Sequence, residues 1–248
     1  MQVRRRSFMG LTCVLASIPV SRSVHALVGM PTLEGGIRRY LEEIVDNGWV
    51  TGASIAILRP NEPTLHLVHG MADREAGVAT VPDTIYRIYS MTKPVTAVAA
   101  MTLVESGRLR LDQPIAEFLP EFANPRVFVR FDGDEAITEA ADRPITVRHL
   151  LTHTSGLSES FNKGLEPTAK IYERIGLKAG QFDPKLGIAS LDEYARVLAT
   201  IPLAFQPGTR WLYGSSLDLA GRVIEIAAGK PYDIYLRESV LDPLGMID

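Results

Sequence analysis

A chain of 248 residues, 46% of them hydrophobic, is long enough to bury one large core or two small ones. Its 26 basic and 29 acidic residues nearly balance, at a formal charge of −3, so nothing in the charge points to a nucleic-acid partner. A single cysteine, Cys13, excludes a disulfide framework within the chain.

The N-terminus reads as a segment separate from the fold. Arg4-Arg-Arg-Ser-Phe-Met9 precedes an apolar run from Gly10 to Val20, and Ser23-Val-His-Ala26 offers small residues for cleavage. This is the pattern of a signal peptide over residues 1–26, and its paired arginines resemble a twin-arginine export signal. The run is short and contains Pro19, which argues against a membrane-spanning helix. Cleavage after Ala26 would remove Arg4, Arg5, Arg6 and Arg22 and no acid, taking the charge from −3 to −7. It would also remove Cys13 and leave no stable membrane anchor. The expected location is periplasmic or secreted.

Along residues 27–248, Leu33 to Asn47 has helical spacing, through Ile37, Tyr40, Leu41, Ile44 and Val45. Gly52–Leu58 and Leu65–Gly70 read as two strands joined by Arg59-Pro-Asn-Glu-Pro63, and Thr84–Ile88 as a third. His66 and His69, three apart on a strand, should point to opposite faces and make a poor metal pair.

The stretch from Tyr86 to Gly107 follows. Its second half (Ala97, Val98, Ala99, Ala100, Met101, Leu103, Val104) has almost no polar face, which predicts a helix buried on most sides. Pro94 belongs in a first turn and Gly107 just past the end. Ser90 therefore falls at or before the first turn, with Lys93 on the same face three residues on. A serine and a lysine so placed can share a proton, and helix-start N–H groups can stabilise an oxyanion. This is the physical content of the Ser-x-x-Lys motif. The chain holds a second match, Ser160-Phe-Asn-Lys163, which runs into Gly164 and Pro167 without an apolar helix and reads as a loop coincidence.

From Leu109 to about Leu203 the texture is loops and short helices. Phe131-Asp-Gly-Asp-Glu135 is an acidic turn that lacks the further ligand spacing of a calcium loop. Thr146–Thr152 reads as a short helix begun by Thr146. Ser190–Thr200 is another, with Ser190 and Glu193 forming a capping box. Ser215–Ala228 and Pro231–Leu241 complete the helical region. His149 and His153 are four apart, but no Glu follows the first as in a zinc helix, so both read as packing or surface residues and no metal is expected. Of eight tyrosines, Tyr213 alone has Ser or Asn two residues on, at Ser215.

Five blocks then occur in order: Ser90-Met-Thr-Lys93; Leu109-Arg-Leu-Asp112-Gln-Pro-Ile-Ala-Glu-Phe-Leu-Pro120; Ile145-Thr-Val-Arg-His-Leu-Leu-Thr-His-Thr-Ser-Gly-Leu157; Pro207-Gly-Thr-Arg-Trp-Leu-Tyr213-Gly-Ser215; and Pro243-Leu-Gly-Met246. From roughly Leu33 to Asp248 the chain resembles a class C β-lactamase-type serine hydrolase, in a family that includes penicillin-binding-protein-like esterases and D-peptidases. The resemblance implies an α/β (α+β) fold, an antiparallel sheet flanked by helices with a helical region beside it. It implies catalysis by Ser90, Lys93 and Tyr213, the tyrosine exchanging protons with nucleophile and leaving group, and a substrate-binding role for Ser215. No cofactor is implied. The substrate would be a small ester or amide, a β-lactam or D-amino peptide included, or a peptidoglycan-like fragment. Class C β-lactamases usually carry Asn where Ser215 stands, so the Tyr-Gly-Ser triplet fits the esterase and peptidase relatives better. A non-catalytic relative that only binds peptidoglycan or a partner is the alternative.

The family's third element, a Lys-Thr-Gly or His-x-Gly triplet on a central strand, has no match after Tyr213. The expectation is therefore the front portion of a longer protein with its C-terminal strands missing, poorly folded and nearly inactive on its own.

Overall fold

The computed structural model describes residues 32–178 and 181–247. The expected signal segment and Cys13 lie outside the described residues. The chain divides into two compact units, one ending at Tyr86 and the other beginning at Arg87.

In the first unit, helix α1 (Leu33–Asp46) starts where the Thr32 hydroxyl accepts from the Gly35 N–H at 3.1 Å. It lies against strand β2 (Leu65–Asp73), which pairs antiparallel with β1 (Gly52–Ile57) from Gly52↔Gly70 to Ile57↔Leu65. The third strand is not where the sequence suggests. Strand β3 is Val78–Ala79, paired with the end of β2, whereas residues 84–88 form no strand. Asp73 caps a tight turn by accepting from the Ala76 N–H, and this folds the chain back early. The following Pro82-Asp83 turn, closed by Thr84 on the Val81 N–H, takes the next segment away from the ladder.

In the second unit, a short 3₁₀ turn, Tyr89–Met91, leads into helix α2 (Thr92–Glu105). Pro94 sits in the first turn and Gly107 takes φ +72° past the end, as expected. The expectation of burial on most sides does not hold. Thr96, Ala99, Ala100 and Leu103 are buried, while Val98 and Met101 are 50% and 44% exposed. A sequence apolar all round names no inner face. Packing chooses one at helical spacing, with α2 lying against α6 (Ser216–Ala228).

Residues 126–140, expected as loop, form a β-hairpin of β4 (Arg126–Asp132) and β5 (Glu135–Ala140). Gly133 at φ +58° makes the two-residue turn possible, and Arg174 holds it by bonding the Asp134 carbonyl at 2.6 Å. Leu203 pairs in parallel beside β4, donating its N–H to the Arg126 carbonyl at 2.7 Å.

The core gathers around α6, whose Leu219, Ala220, Val223 and Ile224 are at most 2% exposed. Each large aliphatic side chain among them contributes about 1.5–3 kcal/mol on burial. Helix α6 meets α2, α3 (Val147–Leu151), α5 (Leu191–Ala199) and α7 (Tyr232–Leu236). Hydroxyl pairs fix α7 to α2: Thr96 with Tyr232 at 2.6 Å and Thr102 with Tyr235 at 2.8 Å. Thr146 and Ser190 cap α3 and α5 as the sequence predicts. The Leu109–Pro120 and Ile145–Leu157 blocks are joined by Arg148, which grips Asp112 at 2.8 and 3.2 Å, and by the Ile115 N–H on the Ile145 carbonyl. These contacts tie the two blocks to each other. No helix among the described residues is long and apolar enough to cross a membrane.

Candidate active site

Ser90 stands in the 3₁₀ turn that opens onto α2, so its hydroxyl is exposed at the mouth of a cavity of about 450 Å³. Its neighbour Tyr89 takes φ +44°, a left-handed backbone that costs a non-glycine residue about 1 kcal/mol or more.

Lys93 Nζ lies 3.5 Å from Ser90 Oγ, one turn along the same face. Tyr213 closes the group from the other side of the sequence, its hydroxyl donating to Ser90 Oγ at 2.5 Å. Lys93 Nζ is also 5.1 Å from the centre of the Tyr213 ring. The three residues singled out by sequence thus share one hydrogen-bonded cluster. The second Ser-x-x-Lys copy does not resemble it, because Lys163 Nζ is drawn to Glu173 at 2.8 Å.

The segment carrying Tyr213 runs beside the His153–Ser158 loop. The Leu212 N–H donates to the His153 carbonyl at 2.9 Å and the Ser215 N–H to the Ser158 carbonyl at 3.3 Å. Between these rungs Asn162 Nδ2 donates to the Tyr213 carbonyl at 2.9 Å. Gly214 passes so close that a Cβ there would meet the Ser158 and Leu157 carbonyl oxygens at 2.6 and 2.7 Å. Only glycine fits between Tyr213 and Ser215.

Ser215 is fully buried and sits behind the cavity wall rather than on it. Its hydroxyl lies 2.9 Å from Glu159 Oε1 and 3.1 Å from the Ser158 carbonyl. One hydroxyl proton serves one acceptor at a time, so a protonated Glu159 would complete the arrangement. Burial pushes the Glu159 carboxyl above its usual range, opposed by the Ser215 hydrogen bond.

Sequence reasoning missed Glu159, together with Asp218 of α6, and both line the cavity with Ser90, Lys93 and Tyr213. Burial also raises the Asp218 carboxyl, opposed by the charge of Lys93. The only signal for Asp218 was its place three residues beyond Ser215, on the helix that Tyr213 introduces. Glu159 had no such signal. Phe161, Leu191 and Leu217 give the same cavity apolar walls.

The histidines also find places. His149 completes a cap with Thr146, accepting the Thr146 N–H at Nδ1. His153, at φ +54°, stacks on Tyr213 with ring centres 4.7 Å apart and planes at 29°. Burial and the charge of Lys93 depress its imidazole to about 4. Among the described residues no group of three or more His, Cys, Asp or Glu is arranged to hold a metal ion.

Comparison with known proteins agrees with this architecture. Residues 37–248 match the beta-lactamase family. The chain is 40% identical over 203 residues to the esterase EstB of Burkholderia gladioli, covering 80% of this chain and 46% of that protein. Unliganded simvastatin synthase (LovD) from Aspergillus terreus superposes with a TM-score of 0.70 at 29% identity, covering 88% of this chain and 54% of that one. The D-amino acid amidase from Ochrobactrum anthropi SV3 superposes at 0.62 with 28% identity, over 87% and 51%. The chain thus spans about half the length of the proteins it matches. It carries the β-lactamase and penicillin-binding-protein type of fold, and belongs to the beta-lactamase family of serine hydrolases, related to esterases, acyltransferases and D-amino acid amidases.

Proposed function

We propose that the protein is an exported hydrolase that opens small esters or amides through an acyl-enzyme on Ser90. The observation that carries this is the close approach of Tyr213 and Lys93 to one serine oxygen, at 2.5 and 3.5 Å. Ser90 Oγ bonds to the substrate carbonyl carbon, and its proton passes to the Lys93–Tyr213 pair. The bond to the leaving group breaks, and the pair returns the proton to that group. Water then attacks the acyl carbon, releases the acid and restores the Ser90 hydroxyl.

Esters are the favoured class. Tyr213-Gly214-Ser215 lacks the amide expected of an antibiotic-hydrolysing relative, and EstB is an esterase by name. Ser215 acts in this scheme by holding Glu159 at the cavity wall. Export rests on Arg4-Arg-Arg-Ser-Phe-Met9 and the apolar run after it.

Fluorophosphonate labelling of the full-length protein tests the chemistry. Labelling should vanish in Ser90→Ala and persist in Ser160→Ala, with turnover of p-nitrophenyl butyrate exceeding that of nitrocefin. A well-folded protein that takes no label would refute the proposal.

A further inference from the structure

His153 has no part in the proton transfers, yet much of the geometry around Tyr213 converges on it. Its left-handed φ of +54° costs roughly 1 kcal/mol for a residue with a Cβ. Its buried Nδ1 has no hydrogen-bond partner among the described residues, an arrangement that costs about 1–3 kcal/mol. An aliphatic residue would fill the space without the second cost. What it would not supply is a flat ring, and the flat ring is in use. The imidazole stacks on the Tyr213 phenol at 4.7 Å and meets the edge of Trp211 at 6.2 Å and 69°. The His153 carbonyl meanwhile accepts from the Leu212 N–H, fixing the backbone that enters Tyr213.

We propose that His153 is the positioning residue of Tyr213, its ring serving as the platform that keeps the phenol hydroxyl against Ser90 Oγ. This rests on the catalytic role proposed above for Ser90 and Tyr213. Lys93 and Tyr213 are the titratable groups that face the imidazole. With Lys93 Nζ 5.1 Å from the phenol ring, an uncharged platform adds no second cation beside it. A displacement of the hydroxyl by about 1 Å can cost on the order of 100-fold in rate.

The test uses the full-length protein and p-nitrophenyl butyrate. His153→Asn keeps a residue tolerant of left-handed backbone but removes the ring, and His153→Gln is a second ringless variant should the first not fold. His153→Phe restores a ring without nitrogen. All are assayed where their circular dichroism matches the wild type. The expected result is a loss of about 10- to 100-fold in kcat for the ringless variants, KM within about twofold, and recovery of most of kcat in His153→Phe. Wild-type kcat in a ringless variant, or a Phe variant no better than Asn, would overturn the proposal. Ser90→Ala and Tyr213→Phe run alongside. If they stay fully active, the hydrolase mechanism itself fails. If they are impaired while His153→Asn is not, only the platform fails.

Discussion

Tyr213 and Ser90 lie 123 positions apart in sequence, and their side-chain oxygens meet at 2.5 Å. The approach brings together the turn that carries the serine, where Tyr89 takes φ +44°, and the clamp of backbone hydrogen bonds, from His153 to Ser158, that holds the tyrosine segment. Each support suggests a measurement.

Removing the phenol hydroxyl should leave the platform and the backbone clamp in place. Tyr213→Phe is expected to lower kcat by about 10²- to 10⁴-fold, the usual range for a lost proton-transfer group. Its melting temperature should stay close to the wild type, since the ring still stacks on His153. Steady-state kinetics beside a thermal melt separates the two effects, and undiminished kcat would count against the proton-transfer role.

Glu159 is expected to destabilise the neutral-pH protein. Burial raises its folded carboxyl above the ordinary glutamate value of 4.5. Its contribution is therefore fully present at pH below the unfolded value and declines as pH rises through the folded one. Glu159→Gln keeps an oxygen for the Ser215 hydroxyl and removes the charge. At pH 7 it should raise the melting temperature, because the charge that burial disfavours is gone. No gain, or a loss, would show that the carboxylate is well compensated.

His153 works in the opposite direction. Its imidazole is lowered from 6.5 to about 4 in the folded protein, so between those values the unfolded chain binds more protons. Stability from this site is complete above about pH 6.5 and is lost as pH falls toward 4. Melting curves from about pH 7 to about pH 4.5 should fall less steeply in His153→Phe than in the wild type. Parallel curves would mean that the histidine is not held uncharged.

Gly214 tests the fit of the tyrosine segment. A methyl group there meets two backbone carbonyl oxygens rather than movable side chains, so Gly214→Ala should cost about 1–3 kcal/mol and displace Tyr213. Gly36 on α1 is the control, because a Cβ added there would meet nothing within 4 Å. Gly36→Ala should gain about 0.5–1 kcal/mol. Denaturant titration of both variants reads the two signs.

Much of this arrangement was legible in the sequence because it is local. The Ser90-x-x-Lys93 spacing, Pro94 in a first turn, Gly107 past the end, and the Thr146 and Ser190 caps are each decided within a few residues. What escaped depends on partners far along the chain. The β4–β5 hairpin carried a usable signal, Gly133-Asp134 between alternating residues, but the acidic composition of its turn suggested solvent rather than pairing. The inner face of α2 could not be read from a helix apolar on every side. Glu159 is a lone acid in a loop, and only the buried hydroxyl of Ser215 marks it out. Ser215 itself was legible as part of the site but not as a residue facing away from the cavity.

The Lys163–Glu173 pair has a consequence for reading sequences of this kind. Both copies of the four-residue pattern have the same spelling, and their difference lies in what each ammonium group has already found. Lys163 is committed to a carboxylate, so its attraction is spent on holding a loop to α4 (Ala169–Ile175). Lys93 Nζ sits 3.5 Å from the Ser90 hydroxyl instead, with no carboxylate in ion-pair contact among the described residues. A motif search should therefore ask which lysine faces its own serine and which faces a carboxylate, a question the letters alone do not answer.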